Sequence, residues 1–292
     1  MNPFELIAPL TLDETLNCLD PDDPGVRVMA GGTALMLLMK ARLFQPTRVV
    51  SLHRLRGALR GVQVSPQEGL RIGALTTLTE LEQSASLRQA APVLSYALAT
   101  LSNVRIRNVA TLGGHLVHGD PHMDLPPILM TLGARVRLVS ARGERWLACE
   151  ALATGYYETA VARDELLTDV VIPPQPADVG AAYAKFTSLS ADDWPAVGVA
   201  VWVRHRSGRI ADARIAVSAA TDRPLLLHRA AALLHDCEIS RRAIETAAEA
   251  AAEDVEPLSD IRGSSAYKRE MIRVHLRRAL HRALGVPLAS LS

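Results

Sequence analysis

Between Asn108 and Ala134 the chain reads NVATLGGHLVHGDPHMDLPPILMTLGA. His115, His118, Asp120, His122 and Asp124 crowd this one stretch. Imidazole and carboxylate side chains together can ligate a transition metal. They also supply donors and acceptors for a polar ligand. Three histidines in a loop broken by glycine and proline need not converge on one point, so metal binding stands as the alternative. Just upstream, Gly113 and Gly114 follow an apolar run and are expected to form a glycine turn whose unpaired N–H groups suit phosphate, since glycine admits close approaches that a side chain forbids. Asp124 is spaced as the N-cap of a helix with prolines in its first turn, an apolar run at 128–132 and Gly133 at its end.

A second glycine pair lies nearer the start. Residues 26–30 predict a short buried strand, Gly31-Gly32-Thr33 follows, and residues 34–42 predict a helix. Strand, glycine turn and helix in that order present unpaired N–H groups that suit phosphate. Neither pair fits GxGxxG or GxxxxGK[ST], so the Rossmann and P-loop readings are excluded. Thr33 also suits a plain helix cap, which uses the same N–H-rich geometry.

The elements that must position these segments are legible from patterning. A strand is expected near 4–7, then a helix to about residue 19 opened by the Thr11/Glu14 capping box. Strands follow at 48–52, 62–64 and 70–72, the last two flanking a hairpin turn. The Thr77/Glu80 capping box opens a helix at 78–83, and a longer helix is expected at 88–101. Strands at 135–139 and 165–172 complete this half, with a return strand ending at Trp146. The Pro-Pro-Gln-Pro run at 173–176 marks a boundary between residues 1–175, split near residue 55, and residues 176–292. Beyond it, strands at 181–188, 197–204 and 213–219 precede helices at 225–234, 240–252 and 264–284, an α+β pattern. In the last helix Ile272, Leu276, Ala279 and Ala283 share one face. Lys268, Arg269, Arg273, Arg277 and Arg282 are expected on a solvated basic face, or one that docks a partner.

A net charge of +1 over 292 residues excludes a strongly basic nucleic-acid binder and an acidic disordered chain. Cys18, Cys149 and Cys237 are scattered, with no spacing that suits a metal or an iron–sulfur cluster. The N-terminal stretch lacks a basic region followed by an apolar core, and no apolar run approaches a membrane span, so a cytoplasmic protein is expected.

Four segments together resemble the FAD-binding subunits of the molybdenum hydroxylases, a family that includes the carbon monoxide dehydrogenase medium subunit and the xanthine dehydrogenase FAD domain. They are AGGTALMLLMK from Ala30, TLGGHLVHGDPHMDLPP from Thr111, the Tyr183-Ala184-Lys185-Phe186 run with Asp193-Trp194 beyond it, and the helix that begins at Ser264. The resemblance implies a two-subdomain FAD-binding domain of the vanillyl-alcohol oxidase/p-cresol methylhydroxylase type. It also implies a smaller C-terminal domain with a three-stranded sheet and helices. It places noncovalent FAD on Ala30, Gly31, Gly32, Thr33, Ala34 and Leu35 and on Thr111, Gly113, Gly114, His115, Asp120 and Asp124. Lys185 is expected near the flavin ring, and Trp194 in core packing. His115 stands where the family usually has Asn, and Ala34 where it often has a polar residue. The expected partners are a small 2Fe–2S subunit and a large molybdopterin subunit, assembled as a dimer of heterotrimers. Electrons would pass from the clusters through FAD to an external acceptor. A stand-alone FAD oxidoreductase, or a scaffold relative that has lost FAD, is the alternative.

Overall fold

The computed structural model describes residues 2–286. Strands β1 (Glu5–Ile7), β2 (Val26–Met29) and β3 (Arg48–Ser51) form a parallel sheet with β3 in the centre. Parallel neighbours need crossovers, and helices α1 (Leu12–Asn17) and α2 (Leu35–Lys40) supply them. The expected capping box opens α1, with the Thr11 side chain accepting from the Glu14 N–H. The core beneath this sheet, Leu16, Val26 and Val50, continues onto Leu75 and Leu166 of the next layer.

That layer is an antiparallel sheet of β4 (Val62–Ser65), β5 (Gly69–Gly73), β6 (Arg135–Ser140), β7 (Gly143–Ala148) and β10 (Leu166–Ile172), with β10 central. A small hairpin, β8 (Ala153–Gly155) and β9 (Glu158–Thr159), stands beside it. Six short helices connect β5 to β6: α3 (Leu78–Gln83), α4 (Ala85–Ala90), α5 (Pro92–Ala99), α6 (Val104–Arg107), α7 (Leu112–Val117) and α8 (Leu125–Thr131). The long helix expected at 88–101 is interrupted. Ala91 leaves the helical region at φ −144°, because the ring of Pro92 disfavours helical backbone in the residue before it.

The last sheet is built on β11 (Val179–Phe186), β12 (Val197–Arg206) and β13 (Arg209–Ser218). It has five strands rather than the three expected, since β14 (Leu225–Leu226) and β15 (Cys237–Glu238) both pair with β13. Pairing of Leu225 and Leu226 with Val217 and Ala216 also delays the first helix, α9, to His228–Ala232. Side chains alternate across a strand, and β12 uses both faces. Val199, Val201 and Val203 pack under α10 (Arg241–Asp254) and α11 (Ser265–Leu284). Ala200 and Trp202 join the core of the preceding layer. Helix α8 lies within that shared core, with six of its residues buried.

Two further expectations are corrected. Lys268 is not on a solvated face. It is fully buried on α11, where Nζ donates to the Ala219 carbonyl at 3.1 Å and to Asp260 Oδ2 at 2.8 Å. Of the five basic residues named, only Arg282 is exposed. Trp194 is not in the core either. It is 47% exposed, with the Arg262 guanidinium 5.5 Å from its ring. No helix among the described residues is long and apolar enough to cross a membrane.

Candidate cofactor site

Beyond β2 the chain turns through Ala30 to Ala34 before α2 begins. Gly32 has φ 72°, a left-handed conformation that glycine adopts without strain. Gly31 is needed for space: a Cβ there would lie 2.0 Å from the Val109 carbonyl oxygen. None of the N–H groups of Gly31, Gly32, Thr33, Ala34 and Leu35 donates to a backbone carbonyl among the described residues. All five residues are partly exposed. No side chain caps α2, so Thr33 does not serve as a cap, and the N-cap position falls to Ala34. Consecutive free amides in such a turn form a cradle for an anion.

Gly113 and Gly114 behave differently. They do not form a turn but occupy the first turn of α7, with Thr111 as N-cap. Their amides are taken: Gly113 donates to the Ala74 carbonyl at 2.8 Å and Gly114 to Thr111 Oγ1 at 3.2 Å, while the preceding Leu112 donates to the Thr76 carbonyl. Gly113 pins α7 down, because a Cβ there would meet the Ala74 Cβ at 2.7 Å. Gly114 is exposed between buried neighbours, and a Cβ on it would find only Thr111 Oγ1 at 3.1 Å and the Ala30 Cβ at 3.9 Å. The two glycine segments therefore meet, Gly31 against Val109 and Gly114 beside Ala30.

Asp124 stands at the N-cap position of α8 yet makes no capping hydrogen bond. Its buried carboxylate turns to β11 instead. It accepts from the Tyr183 hydroxyl at 2.7 Å and from Lys185 Nζ at 3.2 Å. Burial pushes the Asp124 carboxyl up in pKa, opposed by Lys185 and the Tyr183 hydrogen bond. Lys185 Nζ also donates to the Thr100 carbonyl at 3.3 Å. An ammonium carries three donors, so one stays without a partner among the described residues. The Leu125 N–H, left uncapped by Asp124, donates to His115 Nε2 at 3.5 Å. That assigns the ring proton to Nδ1.

Burial, reinforced by His118, lowers the His115 pKa from 6.5 to about 3, so the ring is neutral. Between those values the unfolded chain binds a proton that the folded chain refuses. Stability conferred by neutral His115 is therefore present above pH 6.5 and lost as pH falls toward about 3. The slope is about 1.4 kcal/mol per pH unit. We expect His115→Asn to flatten this acid limb in denaturant titrations at stepped pH. An unchanged slope would show that His115 does not set it.

The remaining polar residues of the stretch do not converge. His122 lies between Asp120 Oδ1 at 2.8 Å and Asp260 Oδ2 at 3.4 Å. Asp120 also accepts from the Tyr157 hydroxyl at 3.1 Å. Burial raises the Asp120 pKa, but hydrogen bonds from His122 more than offset this and hold it below the usual range. His118 packs edge-on to Tyr157 with ring centres 5.2 Å apart. No group of three His, Cys, Asp or Glu side chains among the described residues is arranged to hold a metal. Through Asp260 and the buried Lys268 this network ties the Asp120 loop to the C-terminal layer. Tyr183, Thr100 and Asp260 were missed in the sequence. Only Tyr183 carried a signal: it lies two residues before Lys185 and so on the same strand face.

Residues 2–175 match the family of the FAD binding domain in molybdopterin dehydrogenase, and residues 181–283 match the CO dehydrogenase flavoprotein C-terminal domain. The nicotine 6-hydroxylase medium subunit of Paenarthrobacter nicotinovorans is 32% identical over 94% of each chain. The carbon monoxide dehydrogenase medium chain of Afipia carboxidovorans is 31% identical over 96% of each. Among solved structures, a chain of the carbon monoxide dehydrogenase from Hydrogenophaga pseudoflava superposes with a TM-score of 0.93 at 30% identity, covering 97% of this chain and 98% of that one. A chain of quinoline 2-oxidoreductase from Pseudomonas putida 86 gives a TM-score of 0.90 at 31% identity, with 97% and 98% covered. With both of its parts and nearly its whole length matched, the chain belongs to the family of FAD-binding medium subunits of the molybdopterin dehydrogenases.

Proposed function

We propose that this chain is the FAD-binding electron-transfer subunit of a multi-subunit molybdenum hydroxylase. The observation that carries the reading is the row of free amides from Gly31 to Leu35 beside the bare, exposed Gly114. Those amides hold the FAD pyrophosphate, and Gly114 lets it approach. Ala30 and Thr111 line the same seam, and Gly113 fixes its floor. At the other end Lys185 and His115 each keep one donor to offer, Lys185 toward the flavin ring. Asp124 has further lone pairs for hydroxyls of the FAD chain. Asp120 acts indirectly by fixing the loop that carries His122. The parallel and antiparallel layers, within residues 1–55 and 56–175, make up a vanillyl-alcohol oxidase-type FAD domain, and residues 176–292 the C-terminal domain; residue 1 and residues 287–292 lie outside the described residues.

FAD supplies the exchange between one-electron donors and a two-electron acceptor. The chain binds and orients it, and Lys185 provides positive charge where reduction leaves negative charge. The partners are a small 2Fe–2S subunit and a large molybdopterin subunit, in a dimer of heterotrimers. Free thiols at Cys18, Cys149 and Cys237 agree with work in the reducing cytoplasm. Reconstitution tests the core of this: the purified chain should take up one FAD and release it on acid denaturation. A chain that stays colourless, or flavin that stays attached in acid, would contradict the reading.

A further inference from the structure

Strands β11 and β12 build a buried polar assembly whose parts act in series. Tyr183, 2% exposed, and Lys185 project from the same face of β11. Asp124 joins them, taking the Tyr183 hydroxyl on Oδ1 and Lys185 Nζ on Oδ2. Opposite Lys185 in register stands Gly198 on β12. A Cβ on Gly198 would lie 2.6 Å from the Tyr183 hydroxyl and 2.5 Å from Ser218 Oγ. The missing side chain is thus the space in which the hydroxyl sits. Burying a tyrosine hydroxyl, a carboxylate and an ammonium together is seldom the most stable way to fill a core. The assembly also ends on a cation with one donor unused among the described residues.

We propose that Tyr183 and Gly198 are positioning residues for the cofactor. Gly198 seats the Tyr183 hydroxyl, the hydroxyl orients Asp124, and Asp124 fixes where the charge of Lys185 stands. The inference rests on the FAD reading above and adds to it how the reduction potential of bound flavin is set. A carboxylate that loses its Tyr183 donor leans on Lys185 alone and draws the ammonium toward itself. Less positive charge then faces the ring, and the reduced, negatively charged form is less favoured.

The test uses the FAD-loaded full chain and reads the flavin midpoint potential, FAD affinity and melting temperature together. Tyr183→Phe removes the hydroxyl; Gly198→Ala displaces it and leaves it in place chemically. Both are expected to bind FAD within about tenfold of the parent and to lower the midpoint potential. Neither should lower it further when Lys185 is already replaced in Lys185→Met. Variants that lose melting temperature but keep the parent's potential would overturn the positioning role and leave the FAD reading intact. A lowered potential that persists at full size in the Lys185→Met background would also overturn it, because the effect would not run through the lysine. A parent chain that binds no FAD would overturn both.

Discussion

Gly114→Val is expected to abolish FAD binding in a chain that still folds, whereas Gly31→Ala is expected to damage the fold itself. The two glycines look alike in sequence, and their surroundings separate them. At Gly31 an added Cβ falls 2.0 Å from a backbone oxygen of Val109. Backbone cannot swing aside as a flexible side chain can, so a cost of about 1–3 kcal/mol or more follows. At Gly114 the new Cβ meets only Thr111 Oγ1 at 3.1 Å and the Ala30 Cβ at 3.9 Å, both side-chain atoms. Valine is no worse than glycine inside a helix, and a loosened Thr111 cap costs about 1 kcal/mol. The branched side chain, however, fills the seam beside Ala30 where the pyrophosphate must pass. Losing that contact is worth about 3 kcal/mol, more than a hundredfold in Kd. Flavin fluorescence titration with circular dichroism on the same samples checks both halves. Parental FAD affinity in Gly114→Val would reduce this glycine to a packing residue.

Asp124→Ala is expected to be the most destabilising single change at the site. It strands the Lys185 ammonium, whose side chain is 9% exposed, without its counter-ion. It also removes the carboxylate to which the buried Tyr183 hydroxyl donates. Breaking a buried pair by removing one partner costs about 3–5 kcal/mol. Much of that penalty belongs to the stranded charge, so Lys185→Met added to Asp124→Ala should restore part of the stability. Chemical denaturation of the two single variants and the double variant reads this directly. If the double variant is as unstable as the sum of the singles, the two residues are not an energetic pair.

What could be read from the sequence was mostly local. The Thr11 and Thr77 capping boxes opened their helices as expected because both partners lie within one turn. Strands such as β10 and β12 declared themselves through runs of Val, Ile and Leu. Features decided by distant partners were not legible. Asp124 has the spacing of an N-cap, but its carboxylate is claimed by Tyr183 and Lys185 from a strand some 60 residues away. Lys268 belongs to a basic run, yet the Ala219 carbonyl and Asp260 draw it into the interior. The Gly113–Gly114 pair reads as a turn until the Ala74 carbonyl and the Thr111 hydroxyl are seen to occupy its amides. The amides of the first glycine pair donate to no backbone carbonyl among the described residues, as expected of a strand–turn–helix order.

Anaerobic rapid mixing of the FAD-loaded chain with a chemically reduced 2Fe–2S small subunit, freed of excess reductant, tests the relay most directly. Flavin absorbance should bleach as the cluster reoxidises, at a rate that saturates with subunit concentration. The FAD-loaded chain alone should remain oxidised in the presence of organic substrates of the complex. No electron transfer from the reduced partner to the folded, FAD-loaded chain, or rapid bleaching of that chain by an organic substrate without any partner, would contradict the assignment.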